Sequence, residues 1–322
     1  MNNNIQKTNT SNYLIVDWGT SNLRIFLMSH DDQLIKKTES AMGLLRVENA
    51  DFAAALEKIL SPWLLNFKKL PVFMAGMVGS VNGWHSVDYV ETYVNVAKLS
   101  QRSFHFELPW LAPATIISGV LHVDKSKKTK DVMRGEEVQV FGLVEKYYSD
   151  IFVKELNNNT YASNLNIILP GTHSKHVKVV NKTITELSSF MTGELFSVIS
   201  QHTILGKDLP PQQFNTDAFD LGVREGQTTQ LTQMLFQTRT HKLFNSIGAT
   251  YIKSYLSGLL IGNELQLVKK QHTFLIGSPN LCSKYQLACE ALAIPVTIVD
   301  GDDCFLAGMV KLKQNITSRN NC

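Results

Sequence analysis

The chain is poor in cysteine and in charge, and it has no long apolar run. Its four cysteines, Cys282, Cys289, Cys304 and Cys322, fall in the last fifth of the sequence and form no C-x-x-C pair. That spacing argues against a zinc knuckle or a dithiol centre and fits reduced thiols in a cytoplasmic protein. No stretch reaches the roughly 18 apolar residues of a membrane span. Met1 to Tyr13 is polar and rich in Asn, without the basic and apolar regions of a signal peptide. Charged residues make up only 18% of the 322, and the net charge is +3. Neither nucleic acid nor a membrane surface is therefore expected as a partner. The densest basic run, Lys125 to Lys130, reads as a solvated loop. Two catalytic signatures are also missing. Without G-x-x-x-x-G-K-[ST], a P-loop kinase is not supported, and without G-x-S-x-G, Ser80 and Ser174 are weak candidates for hydrolase nucleophiles.

Hydrophobic residues make up 44% of the chain, enough for a core in each of two lobes. After a polar tail over 1–12, Tyr13 to Val16 reads as a buried strand, followed by a turn over Asp17 to Asn22. An alternating strand at Leu23 to Met28 and another at Leu34 to Thr38 come next. A helix is expected over Asp51 to Leu60, with strands at Pro71 to Ala75 and Ala114 to Ser118. A second helix is expected from an N-cap at Asp131 through about Tyr148. The polar segment 147–163 reads as an interlobe loop. Beyond it the opening pattern returns. Leu165 to Leu169 is a strand, Pro170 to Ser174 a turn, and Val177 to Val180 pairs with Ile184 to Phe190 around Asn181-Lys182. Helices follow, with strands at Thr273 to Gly277 and Pro295 to Val299 and a last helix carrying Phe305, Met309 and Leu312. The expected organisation is a first lobe over 13–150, a second over 151–300, and a C-terminal helix over 301–322 that returns to the first.

Three segments carry candidate chemistry. Asp17-Trp18-Gly19-Thr20-Ser21 puts an acid at a strand end, then Gly and two hydroxyls, which suits a polyphosphate and its metal as well as an ordinary hairpin turn. Pro170-Gly171-Thr172-His173-Ser174-Lys175 repeats the pattern, and the two turns are able to clamp a triphosphate from both lobes. Asp131-Val132-Met133-Arg134-Gly135-Glu136-Glu137 offers carboxylates at a helix start and an Arg for an anion. It also reads as a plain helix cap. Trp84, Tyr89 and Trp110 suit either sugar stacking or core packing. His173 and His176 have no partner Cys and do not make a zinc site.

Taken together, these segments resemble the 2-dehydro-3-deoxygalactonokinases of bacterial galactonate catabolism. Gly76-Met77-Val78-Gly79-Ser80 with Gly83-Trp84, Phe190-Met191-Thr192-Gly193-Glu194-Leu195-Phe196 and Tyr255 to Gly262 carry the likeness further, over about 13–312. The resemblance implies an α/β, two-lobed sugar kinase/hsp70/actin-like (ribonuclease H-like) duplicated fold with a nucleotide cleft. It implies transfer of the ATP γ-phosphate to the 6-hydroxyl of 2-dehydro-3-deoxy-D-galactonate, with Mg²⁺ organised by Asp17. Gly19, Thr20, Ser21, Gly171, Thr172, His173 and Lys175 are then expected at the phosphates and Gly277-Ser278 near adenosine. Asp131 is expected as the base, with Glu136 as the alternative. Arg134 is expected at the reacting groups, and Arg24, Ser80 and Trp84 join it around the sugar acid. A homodimer is compatible with the sequence. A same-fold kinase for another sugar acid and a nucleotide-binding sensor without acid kinase activity are the alternatives. The chain departs from the family pattern at Val81-Asn82, over Asp88 to Tyr93, and at His176, where a Trp is usual.

Overall fold

The computed structural model describes residues 11–148 and 164–319. The chain divides into two compact units, one over Met1–Lys154 with Cys304–Cys322, the other over Glu155–Asp303.

In the first unit, β1 (Tyr13–Trp18), β2 (Leu23–Met28), β3 (Leu34–Ser40), β4 (Val72–Gly76), β6 (Phe104–Glu107) and β7 (Pro113–Ile116) form one sheet in the order β3-β2-β1-β4-β7-β6. β1 to β3 are antiparallel neighbours, whereas β1, β4 and β7 run parallel. β1 and β4 are buried along almost their whole length, as expected where both faces of a sheet are covered. Helix α1 (Phe52–Leu60) starts where the side chain of Asp51 accepts from the Ala54 N–H at 2.9 Å, and it buries Phe52, Leu56 and Leu60. A second, three-stranded sheet holds β5 (Val90–Glu91), β8 (Val120–Asp124) and β9 (Thr129–Met133), and α2 (Val96–Arg102) lies between β5 and β6 in sequence.

Here the structure corrects the expected helix from Asp131. Asp131 lies in β9, paired with His122 of β8, and α3 (Glu136–Tyr148) begins five residues later. The reason is local. Asp124 Oδ1 accepts from the backbone of Ser126 and Lys127 at 2.9 and 3.1 Å, making a tight turn that sends the chain back along β8. Gly135, at φ 111, then ends the extended run. Lys125 to Lys128 is the exposed turn of this hairpin, while Lys130 belongs to β9.

In the second unit, β10 (Asn164–Leu169), β11 (Ser174–Val180), β12 (Thr183–Phe190), β13 (Thr273–Gly277) and β14 (Val296–Asp300) form a sheet in the order β12-β11-β10-β13-β14. β10 to β12 are antiparallel, and β10, β13 and β14 are parallel. This is the connectivity of β3-β2-β1-β4-β7 again, so the duplication expected from pattern is present in the topology. Asn181 and Lys182 sit at φ 48 and 61, the pair of left-handed residues of a tight two-residue hairpin turn. The helices are α4 (Thr192–His202), α5 (Thr216–Glu225), α6 (Leu231–Leu243), α7 (Ile252–Leu265) and α8 (Pro279–Ala291). The buried segment Tyr255 to Gly262 lets α7 pack backbone to backbone. A Cβ on Gly258 or Gly262 would stand 2.0 or 2.2 Å from the carbonyl of Phe219 or Val223 in α5. The last helix, α9 (Gly301–Arg319), buries Phe305, Met309 and Leu312, and from Cys304 onward it belongs to the first unit. Residues 1–10 of the expected tail and 149–163 of the expected interlobe loop lie outside the described residues.

Candidate active site

In the first unit the candidate residues gather around two glycines. Gly76 ends β4 at φ 93, and Gly135 lies at φ 111, a region where a side chain is strained. A Cβ on Gly76 would stand 2.8 Å from the Trp18 carbonyl oxygen and 3.3 Å from Asp17 Oδ1, and one on Gly135 would stand 3.2 Å from Gly76 Cα. The ends of β1 and β4 and the entry to α3 therefore meet at backbone contact. Asp17 Oδ2 accepts from Arg24 Nε at 2.9 Å across the β1–β2 pair. The structure thus pairs Arg24 with Asp17. The Gly19, Thr20 and Ser21 carbonyls accept from the N–H groups of Leu44, Leu45 and Gly43 at 3.0–3.2 Å, and the Thr20 and Ser21 side chains remain exposed.

Arg134 is 8% exposed. Its Nη2 donates to the Val87 carbonyl at 2.6 Å, and the Tyr89 ring centroid lies 4.2 Å from its Cζ. Among the described residues the buried Nε and Nη1 have no hydrogen-bond partner, and neither does the buried Ser80 Oγ. A Cβ on Gly79, the residue before Ser80, would stand 2.8 Å from Nη1, so the missing side chain leaves room beside that nitrogen. Buried donors left unpaired cost about 1–3 kcal/mol each, more when charged. A guanidinium held on one nitrogen and one face, with its other donors unpaired, is arranged to receive an anion. Trp84, by contrast, packs among Trp18, Phe52, His85 and Phe106, with ring centroids 5.4–6.2 Å away. Trp110 sits edge-on to Phe67. Both serve the core of the first unit, and Tyr89 alone of the three candidate aromatics meets Arg134.

At the entry to α3 the Arg134 N–H donates to Glu136 Oε2 at 3.0 Å, and the Gly135 N–H donates to both oxygens of Glu137 at 2.8 Å. Glu137, which the sequence offered only as one of the carboxylates of this segment, is fully buried. Burial pushes its carboxyl up to about 8, with the charge of Glu136 adding to the shift. A carboxyl raised on folding contributes stability that is complete below its unfolded value near 4.5 and is lost as pH rises through about 8. Glu137→Gln keeps an acceptor for Gly135 and removes the titration. The expected result is a melting temperature that falls less between pH 6 and 9 than that of the wild type, measured by scanning calorimetry. Parallel curves for the two proteins would show that Glu137 does not titrate there.

In the second unit the turn over Pro170 to His173 is seated on the first residues of α4. The Glu194 N–H donates to the Thr172 carbonyl at 2.9 Å, and a Cβ on Gly193 would stand 2.4 Å from the Gly171 carbonyl oxygen. His173 Nε2 contacts Glu194 Oε2. Gly277 closes β13, a Cβ there would stand 3.5 Å from the Pro170 carbonyl oxygen, and Ser278 is the N-cap residue of α8. A glycine turn flanked by the starts of α4 and α8 presents backbone N–H groups suited to phosphate. Lys175, expected at the phosphates, is buried in β11 and donates from Nζ to Ser189 Oγ of β12 at 2.9 Å.

These two constellations suit phosphoryl transfer, and comparison with known proteins identifies the family. Residues 17–312 match the family described as 2-keto-3-deoxy-galactonokinase. The chain belongs to this family. It is 32% identical over 307 residues to the 2-dehydro-3-deoxygalactonokinase of Escherichia coli (strain K12), covering 93% of this chain and 97% of that protein. A crystal structure of a protein of the same name class from Sinorhizobium meliloti superposes with a TM-score of 0.83 at 29% identity, over 94% of this chain and 96% of that one. The chain is a kinase of carbohydrate metabolism that uses ATP and a sugar acid, built on a duplicated α/β fold. Among the described residues no helix is long and apolar enough to cross a membrane.

Proposed function

We propose that the chain transfers the γ-phosphate of ATP to the 6-hydroxyl of 2-dehydro-3-deoxy-D-galactonate, giving the 6-phosphate and ADP in cytoplasmic galactonate catabolism. The observation that carries the acid half of this reading is Arg134, which is buried beside Tyr89 and Gly79 with Nε and Nη1 unpartnered. A neutral sugar has no use for such a cation, whereas a carboxylate does. Arg134 and Ser80 bind the substrate's carboxylate end. Gly19, Thr20, Ser21, Gly171, Thr172, His173, Gly277 and Ser278 are the phosphate- and adenosine-binding candidates of this reading. Lys175 supports the second turn through its place in the β11–β12 pair.

Glu136 is the base in this reading, and Asp131 ranks second. Glu136 opens α3 beside the Gly76–Gly135 contact, its Oε2 accepting from the Arg134 N–H at 3.0 Å, whereas Glu137 is fully buried with both oxygens on the Gly135 N–H. Asp131 lies on β9 opposite His122, five residues before α3 begins.

Asp17 fits Mg²⁺ as a lone carboxylate. The ion keeps most of its water and phosphate ligands and needs only one or two protein carboxylates. Among the described residues no cluster of three or more His, Cys, Asp or Glu forms a cage. When bound, the ion neutralises phosphate charge, and Arg24 holds Asp17 in orientation. Asp17→Asn is expected to raise the Mg²⁺ concentration for half-maximal turnover by about tenfold or more. An unaltered Mg²⁺ titration would remove Asp17 from that role.

The test of the whole reading is product analysis with ATP and a panel containing 2-dehydro-3-deoxy-D-galactonate, its epimers and other aldonic acids. The expected result is a 6-phosphate of the first compound with the highest kcat/KM. Faster turnover of another acid would move the substrate assignment to that acid. ATP binding without acid-dependent ADP release would mark a sensor.

A further inference from the structure

One buried carboxylate in the second unit is used by none of the chemistry above. Glu264, near the C-terminal end of α7, has a side chain only 1% exposed. Oε1 accepts from Ser174 Oγ and His176 Nε2, both at 2.7 Å. Oε2 accepts from Tyr285 OH at 2.7 Å and from Thr192 Oγ1. Burial works against the charge, but the hydrogen bonds from His176, Thr192 and Ser174 outweigh it and hold Glu264 below the usual carboxylate range. Four donors on two oxygens fill the acceptor capacity of an ionised carboxylate.

The identity of the donors matters more than their number. Ser174 is the first residue after the Pro170–His173 turn, and Thr192 is the first residue of α4, on which that turn is seated. The two oxygens of Glu264 therefore grip both sides of the contact between turn and helix. His176 adds a third hold two residues along β11, with its ring 4.5 Å from Phe190 at the end of β12. A Trp, the usual family residue at 176, has an N–H donor but cannot carry a positive charge. The His gives this chain a donor that is able to pair ionically with the buried acid.

We propose that Glu264 is a positioning residue for nucleotide binding. It fixes the Pro170–His173 turn against the start of α4, through Ser174 and Thr192, so that the turn's N–H groups are set before ATP arrives. The proposal rests on the assignment of that turn to ATP phosphates. Fixing a binding loop in advance removes its ordering cost from the binding step, so loss of the brace should weaken ATP affinity specifically.

The experiment uses the full chain with Glu264→Gln, Ser174→Ala, Thr192→Val and Thr192→Ser. ATP affinity is measured by calorimetry without acid, and KM for ATP and for the sugar acid is measured in steady state. Glu264→Gln is expected to raise the ATP Kd and KM about tenfold and to leave the acid KM within about twofold. Thr192→Val and Ser174→Ala are each expected to raise the ATP Kd about threefold, and Thr192→Ser to restore it. An unchanged ATP Kd in folded Glu264→Gln would overturn the proposal. So would equal rises in both KM values. If Glu264→Gln fails to fold, the single-donor variants decide, and unaltered ATP Kd in both would likewise overturn it. Failure of the kinase reading shows separately, as wild-type protein that binds ATP in the calorimeter without acid-dependent ADP release.

Discussion

Arg134→Ala should reduce kcat/KM for the sugar acid by about 10²–10³-fold while changing KM for ATP by less than about threefold. The magnitude follows from removing one partner of a desolvated charge pair, which costs roughly 3–5 kcal/mol, at about 1.4 kcal/mol per tenfold. The guanidinium is prepared for such a pair. Val87 fixes one nitrogen, Tyr89 covers one face, and Gly79 leaves space beside Nη1. Arg134→Lys retains a charge but not the planar set of donors, so it should fall between the wild type and the Ala variant. Packing loss would also lower activity, so the decisive comparison is with a neutral analogue whose carboxylate is reduced to an alcohol. The wild type should prefer the acid over this analogue strongly, and Arg134→Ala should not. A variant that still favours the acid by the wild-type ratio would show that the carboxylate binds elsewhere.

The sequence reading succeeded where the information was local. The hairpins at Leu23 to Met28 and at Val177 to Phe190 have short polar turns, the strand over Val177 to Val180 alternates buried and half-buried residues, and α1 begins with a capping Asp51. It failed where pairing in space overrode local signals. Asp131, followed by Arg134, Glu136 and Glu137, has the composition of a capped helix start. The β8–β9 ribbon pulls Asp131 into a strand through the Asp124 turn, and Gly135 delays the helix. Sequence left Trp84 open between sugar stacking and core packing, because it does not show the four rings around it. Glu264 gave one usable signal, the one acid in a run from Leu259 to Leu265 that is apolar apart from Asn263, and it requires partners if that helix is buried. Those partners lie 21 to 90 residues away along the chain, beyond the reach of any motif.

The assignment of the base is decided by a pair of variants. Glu136→Gln should lower kcat by about 10²–10⁴-fold, the usual contribution of a positioned general base, with ATP affinity retained. Asp131→Asn should stay within about fivefold of the wild type, because a residue on the β8–β9 ribbon supports the loop without taking the proton. Glu136 has the right neighbourhood. It opens α3, its carboxylate turns back to the Arg134 N–H, and Gly135 rests on Gly76, next to Asp17. Loss of the base should also flatten the acid limb of the kcat profile, since that limb reports protonation of the group that receives the proton. If Asp131→Asn is the inactive variant and Glu136→Gln turns over normally, the proton goes to β9. The entry to α3 is then a brace for Arg134, and Glu137 is buried there only to hold the Gly135 turn.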